Sequence, residues 1–539
     1  MADQPLNALT KRRQAANMTE AGKRALGHQL APYIRSYVDA SKFGVVYDTT
    51  IDSSVAVQAA IDASKGKALV FTGEFSARNV KMADSTYNDT RIICEGRWHM
   101  PTDGMTNTPG LNVPAALHIG TASGIVLHFR GHGERASKGN REQISMLMLA
   151  GSTNLDIPEF DVIECRGDGV YISHLGVGAL GAICNGVRFG RFSAVNSSID
   201  GRNAVSIITG RNISIESLWV DGFGRLQNAG PMMPGGFDIE PDHDYEIVEN
   251  ISIGKAYIRT VGQAGFAVHG RGAIRTRNVS CMDLMLENYA DPNTVDEYAA
   301  MTQQYGDLVK VVNSDNVRIR GEAKWVNAYG NGLIANGNRN CSIDLTLSHV
   351  NTGAITGGAP ILGGISTEER CNYNLSIRDV SRYGWVHGAE TSCRLTGDIS
   401  GAVTTHYSNR FANLLDGAAV RSRYSVAVDD ATNWTRAYRH NSGTYDRCVL
   451  HDVDLSNHTT VNNRVDDTVM MRENVGGVTD AAAQPNDGSW IAGQFVRDTA
   501  RTVTANGNIR IGWERMTTGS ANVASTDWRA VYVKTVDTV

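Results

Sequence analysis

From about residue 68 onward, apolar and polar positions alternate in short runs bounded by Gly and Asn, with the two-residue period of β-strands. One unit recurs, an Asn followed by apolar-x-apolar. It reads Asn212-Ile213-Ser214-Ile215, Asn250-Ile251-Ser252-Ile253, Asn278-Val279-Ser280-Cys281, Asn316-Val317-Arg318-Ile319 and Asn340-Cys341-Ser342-Ile343. Successive asparagines lie 24 to 38 residues apart, an irregular period within the range of stacked repeats. Short β units joined by loops of variable length predict a parallel β-helix, each coil stacked on the last. A propeller would need about four strands per ~40–50 residues and a blade motif, which is absent here. Asn at each equivalent turn suits the left-handed backbone of a coil corner, where stacked Asn side chains can also bond to one another.

A second column of strands precedes these units: Gly169-Val170-Tyr171-Ile172-Ser173, Ala204-Val205-Ser206-Ile207-Ile208, Phe237-Asp238-Ile239-Glu240 and Phe266-Ala267-Val268-His269. Val170, Val205, Phe237 and Phe266 align as inward residues, and so do Ile172, Ile207, Ile239 and Val268. The residues between them then form two outward ladders, Tyr171–Ser206–Asp238–Ala267 and Ser173–Ile208–Glu240–His269. Neighbouring rungs are expected about 4.8 Å apart.

The ends of the chain differ in texture. Residues 1–40 carry Leu26, Leu30, Ile34 and Tyr37/Val38 at helical spacing, with Pro32 as a break, and read as a short helical attachment segment. In the stretch after it, Asp52 or a following Ser is a candidate helix cap, with Val55, Ala59/Ala60 and Ile61 as the apolar stripe. Ala68-Leu69-Val70-Phe71 reads as a short buried strand. Residues 41–455 are assigned to the β-helix. Residues 456–539 read as a small separate β module of antiparallel strands and tight turns, for trimerisation or carbohydrate binding. Its late tryptophans, Trp490, Trp513 and Trp528, are expected more as core or interface anchors than as sugar-stacking platforms. The fold class expected is therefore all-β.

Charge narrows the functional classes. The 51 Lys and Arg against 56 Asp and Glu leave a net charge of −5, with no basic surplus for neutralising phosphates, so nucleic acid is not an expected partner. Gly at 56 of 539 residues suits tight coil corners, and 12 Pro argue against a linker protein. The eight cysteines are dispersed without metal-ligand spacing. They predict buried thiols packing as small apolar groups, with neither a disulfide framework nor a metal site. The N-terminus has no apolar signal core and no stretch nears 18 uncharged apolar residues, so neither a standard export signal nor membrane insertion is expected.

The candidate chemistry centres on Gly235-Gly236-Phe237-Asp238-Ile239-Glu240-Pro241-Asp242. Asp238 and Glu240 at i and i+2 share one face of a strand, roughly 6–7 Å apart at the backbone. That places their carboxyls in the range of the acid/base pairs that cleave glycosidic bonds, one raised in pKa by the other's charge. Tyr171, Arg202, Asp242, His269 and Lys310 fall near enough on the aligned coils to bind a sugar chain, and Asp244 and Asp307 are reserves. No cofactor is called for. Two other readings stay open. A polysaccharide lyase would take its base from His269, Lys310 or Tyr171, with a cation or Arg202 neutralising a uronate; a non-catalytic adhesin would only bind.

The opening Phe43-Gly44, Asp52 and Val57-Gln58-Ala59-Ala60-Ile61-Asp62 resembles the entry to pectate-lyase-like right-handed β-helices, especially bacteriophage tailspikes. Gly201-Arg202-Asn203-Ala204-Val205-Ser206-Ile207 and Gly236-Phe237-Asp238-Ile239-Glu240-Pro241 look like the core of that group, and Gly488-Ser489-Trp490 with Gly512-Trp513 is similar to its C-terminal tails. The resemblance covers roughly 40–539. It implies a right-handed coil and a homotrimer on the virion that degrades bacterial surface polysaccharide outside the cell. It also implies docking of residues 1–40 to another phage tail protein.

Overall fold

The computed structural model describes residues 37–101, 114–134, 144–175, 180–197, 201–224, 235–260, 264–289, 307–326, 332–350, 361–380 and 383–402, then separate strands and short segments from 411 to 534. The chain is a parallel β-helix. One ladder climbs in strict chain order through 13 described strands, from Val80–Met82 to Arg436–Ser442. A second climbs beside it through longer strands such as Asn185–Val195, Gly210–Phe223, Val248–Thr260 and Thr276–Tyr289. Each strand pairs in parallel with its equivalent one coil later, which requires a connection running around the coil rather than a hairpin.

The long strands owe their bend to a change of phase in the hydrophobic pattern. In Gly210–Phe223, Ile213 and Ile215 are buried, then Leu218 and Val220, so Glu216 and Ser217 both face outward between them. Two consecutive outward residues turn the strand onto the next face of the coil. Val248–Thr260 repeats this with Ile251 and Ile253, then Ala256 and Ile258. At the same corner two later coils place glycine. A Cβ on Gly321 would lie 2.0 Å from the Leu284 carbonyl oxygen, and one on Gly397 would lie 1.9 Å from that of Leu375. Their φ values of +156° and +146° also disfavour other residues.

The interior is one continuous apolar column. Phe71, Phe75, Trp98, Phe129, Phe160 and Phe189 are fully buried in its first coils, and Phe237 stacks on Phe266 at 4.9 Å further up. Seven described cysteines are buried thiols, as expected of small apolar packing groups. Among the described residues no helix is long and apolar enough to cross a membrane.

The asparagine corner is present with the bonding expected of it. Asn212, Asn250, Asn278, Asn316 and Asn340 all have φ between +53° and +60°. The Nδ2 of Asn212, Asn250, Asn278 and Asn316 each donates to the Oδ1 of the Asn one coil below, at 2.7 to 3.1 Å, starting from Asn185. Asn250 is bonded both above and below. Asn250→Ala is expected to lower stability by about 2 kcal/mol, from two lost side-chain bonds and a left-handed backbone without Asn's tolerance for it. Asn250→Gly should recover roughly half, because only the strain is relieved. Urea unfolding midpoints of the two variants measure this; equal losses would assign the whole cost to the hydrogen bonds.

Several local expectations change. Leu26, Leu30 and Ile34 lie outside the described residues. Tyr37 and Val38 belong to a strand, Tyr37–Asp39, paired in parallel with Ala68–Phe71, and not to a helix. Their backbone groups complete the sheet edge, which outweighs local helical spacing. The helix Ser54–Ala63 buries Val57, Ala60 and Ile61, whereas Val55 is 86% exposed and Ala59 is also exposed. The stripe is thus one built on i, i+3, i+4 from Val57. Asp52 does hold the entry, accepting from the Ser54 amide at 2.9 Å. Parallel pairing continues past residue 456, as Cys448–His451 pairs with Met470–Glu473. Beyond it, Phe495–Asp498, Asn508–Arg515 and Trp528–Lys534 form an antiparallel sheet. Trp513 and Trp528 are buried there, under the guanidinium groups of Arg510 and Arg515, as anchors of that small core. Trp490 lies outside the described residues.

Candidate active site

The register of the second column is the one its sequence implies. Val170, Val205, Phe237 and Phe266 pair in succession, as do Ile172, Ile207, Ile239 and Val268, and all are in the apolar core. Strand alternation therefore turns Tyr171, Ser206, Asp238, Ala267 and Lys310 to the other face, as consecutive rungs of one ladder. Glu240 lies one residue beyond its strand, Gly235–Ile239, with its amide still bonded to the Ile207 carbonyl at 3.1 Å.

The face is not the open wall expected from alternation alone. Asp238 is 1% exposed and Ser206 is as deeply buried, while Glu240 and Tyr171 are half-buried. Asp238 points away from the apolar core yet is enclosed by polar groups from neighbouring coils. Asn203 organises them. Its Nδ2 donates to Asp238 Oδ2 at 3.1 Å and to Ser206 Oγ at 2.9 Å, while its Oδ1 accepts from the Gly235 amide at 2.8 Å. One coil below, Asp168 is buried; it accepts from the Asn203 amide at 3.0 Å and pairs with Arg202 Nη1 at 2.8 Å. Among the described residues, Asp238 Oδ1 and Arg202 Nε are buried with no hydrogen-bond partner.

These positions set the charges. Burial pushes the Asp238 carboxyl well above the usual carboxylate range, and the negative charge of Glu240 pushes it further, against the partial relief of Arg202. Asp168 is also raised by burial, with Arg202 and the Asn203 amide opposing. Arg202 is held firmly cationic, first by Asp168 and then by Asp238. The Tyr171 phenol is pushed far up by burial, then by the charges of Asp242 and Asp168. His269 is pushed down to about 3 by burial and by Lys310.

Of the residues singled out from the sequence, Tyr171, Arg202, Asp238, Glu240 and Asp242 influence one another as a single cluster. Asp242 itself is exposed, as is Asp244. His269 and Lys310 lie on the next two coils; His269 Nε2 is buried without a partner among the described residues. The Asp307 side chain lies outside the described residues. Sequence reasoning did not single out Asp168, Asn203 or Ser206 as functional. It also missed Glu246, which is buried and lies 3.2 Å from His174 Nε2 and 3.5 Å from His243 Nδ1. Asp168 was one residue outside the aligned column, where an acidic group ahead of Gly169-Val170 was the available signal.

No protein-family model matches the chain, and no curated protein matches it significantly. Similar solved structures include an iota-carrageenase complexed to iota-carrageenan fragments, 14% identical over 55% of this chain with a TM-score of 0.35. The match covers 57% of that chain, so it spans little more than half the carrageenase. The pre-mature bacteriophage phi29 gene product 12 is 12% identical over 77% of this chain and 68% of its own, with a TM-score of 0.43. An exopolygalacturonase from Thermotoga maritima is 10% identical over 76% of this chain and 91% of its own, with a TM-score of 0.31.

Proposed function

We propose that this parallel β-helix is a polysaccharide depolymerase that hydrolyses glycosidic bonds with the carboxyl pair Asp238 and Glu240. The observation that carries the reading is Asp238, a buried carboxyl aimed away from the apolar core, its affinity for a proton raised by burial and by a half-buried Glu240 beside it. The negative charge of Glu240 so near favours the protonated form of Asp238. Glu240 is the member that reaches solvent and meets the glycan; Asp238 stands beneath it as the proton store. The pair delivers its proton to the glycosidic oxygen as the bond to the anomeric carbon breaks. Water adds at that carbon, and its proton returns to the pair.

The same electrostatics favour hydrolysis over β-elimination. A lyase needs a base poised near neutral pH and a cation for the uronate. Tyr171 is pushed far up, His269 is pushed down to about 3, and the charge of Arg202 is already engaged by Asp168. The substrate proposed is a bacterial surface polysaccharide, namely capsule, O-antigen or exopolysaccharide. The setting proposed is a phage tail protein acting outside the cell as a homotrimer, and a monomeric mass by light scattering would contradict the trimer.

Screening purified surface polysaccharides for released oligosaccharides, with mass analysis of the ends, tests the reaction. Saturated ends one water heavier are expected. Unsaturated uronate ends would mean a lyase, and retention of glycan without any release would mean an adhesin. Glu240→Gln should lower the rate by about 10²–10⁴, and full activity in that variant would reject the site.

A further inference from the structure

Far from Asp238, at the start of the coil, the structure gathers a second cluster with a different chemistry. His99 ends the strand Trp98–His99, and His132 ends Val126–His132; the two pair in register on neighbouring rungs. Their imidazoles stack at 4.7 Å between centroids, 12° from parallel. Glu134, two residues past His132, has a left-handed backbone at φ +59° and brings its carboxylate near both imidazoles. Its Oε1 stands 2.6 Å from His99 Nδ1 and 3.7 Å from His132 Nδ1; the latter accepts from the Glu134 amide at 3.1 Å, which leaves Nε2 as the nitrogen His132 offers an ion. Ligand atoms of the three residues all lie within 4.8 Å of one another. Glu74, 58% exposed and therefore free to swing, reaches His99 Nε2 at 3.1 Å from the coil below.

The geometry points to a site for a borderline divalent cation of the zinc, cobalt or nickel class, ligated by His99, His132 and Glu134, with Glu74 orienting the His99 ring from its other nitrogen. Two imidazoles and a carboxylate are the donor set such ions take in tetrahedral sites. Bonds of about 2.0–2.1 Å place tetrahedral ligand atoms about 3.3 Å apart, inside the spread of separations here. The Glu134 separations, at 2.6 and 3.7 Å, already bracket that value, and rotation of the imidazoles closes the remaining edge, to His132 Nε2. Magnesium or calcium would prefer an all-oxygen shell. The ligands and Glu74 come from three successive coils, because Phe75–Ser76, which follows Glu74, pairs with Trp98–His99, and that strand pairs with Val126–His132. A bound cation would tie together the coils at one end of the stack, where fraying begins. The spacing of positions 74, 99, 132 and 134 hides the set from any local motif.

Cobalt(II) chloride added to the metal-stripped full chain tests this, read by visible absorption and by equilibrium dialysis. About one cobalt per chain is expected, with the intense bands of a four-coordinate nitrogen and oxygen site, displaced by zinc chloride and not by magnesium chloride. His132→Gln and Glu134→Gln should each weaken binding by about a hundredfold or more, beyond the usual cost of losing a supporting group. His128→Gln, on the same strand outside the cluster, should leave it unchanged. No stoichiometric cobalt, or equal binding by the His132→Gln and Glu134→Gln proteins, would overturn the site. Circular dichroism of each variant before titration separates loss of a ligand from loss of the fold.

Discussion

Asp238→Asn is expected to make the protein more stable at neutral pH and nearly inactive. Asn preserves the shape and can still accept the Asn203 Nδ2 bond through one oxygen. Its side chain is neutral at every pH, so it avoids the cost of keeping a buried carboxyl protonated, about 1.4 kcal/mol for each pH unit by which the folded value exceeds the unfolded one. The sign with pH follows from the raised carboxyl. In the folded wild type Asp238 keeps its proton to higher pH than in the unfolded chain, which releases it near pH ~4. Its stabilising contribution is therefore fully present below that ordinary value and is lost as pH rises through the folded value. Asp238→Asn has no such loss, so its advantage over wild type should be small at acid pH and grow toward neutrality. Activity should fall about 10²–10⁴-fold, since the pair has lost its proton store. Chemical unfolding across pH, set beside oligosaccharide release, checks both halves. A variant that is destabilised at neutral pH would mean that Asp238 is an ionised structural group.

Arg202→Ala has the opposite expectation. Asp168 has a fully buried side chain, and Arg202 is its charge partner at 2.8 Å, itself only 13% exposed. Removing the guanidinium leaves Asp168 with the Asn203 amide and Ser206 against a large desolvation cost. Breaking a buried pair from one side typically costs 3–5 kcal/mol, so a loss of about that size is expected. The carboxyl left behind answers by taking up a proton. The deficit should therefore shrink as pH falls below the ordinary carboxylate value and widen as pH rises. Asp168→Asn with Arg202→Met should recover most of the stability, because neither charge then needs a partner. A double-mutant cycle by urea unfolding measures the coupling, and additive losses would mean that the pair is not a unit.

The repeat was legible because each coil must solve the same local problem. Positive φ at the corner asks for Asn, and inward positions ask for Val, Ile or Phe, so the register from Val170 to Phe266 could be written from one strand's period. What escaped depends on partners a full coil away. Asn203 reaches Asp238 across 35 positions, and Asp168 meets the Asn203 amide across the same separation. Two-residue alternation says that Asp238 leaves the core; it does not say whether neighbouring coils then enclose it. The strand Tyr37–Asp39 was hidden for a related reason, since its partner at Ala68–Phe71 lies a helix and a turn further on. In the site itself, the pair Asp238 and Glu240 stood out as two acids on one face, whereas the group that holds Asp238, Asn203, carries no charge to draw notice.

The central claim is that Asp238 carries a proton in the folded chain at neutral pH. Infrared difference spectroscopy between wild type and Asp238→Asn at pH 7 reads it directly and needs no knowledge of the glycan. A protonated-carboxyl C=O band present in wild type and missing from the variant is the predicted result. A difference spectrum holding only ionised-carboxylate bands would contradict it.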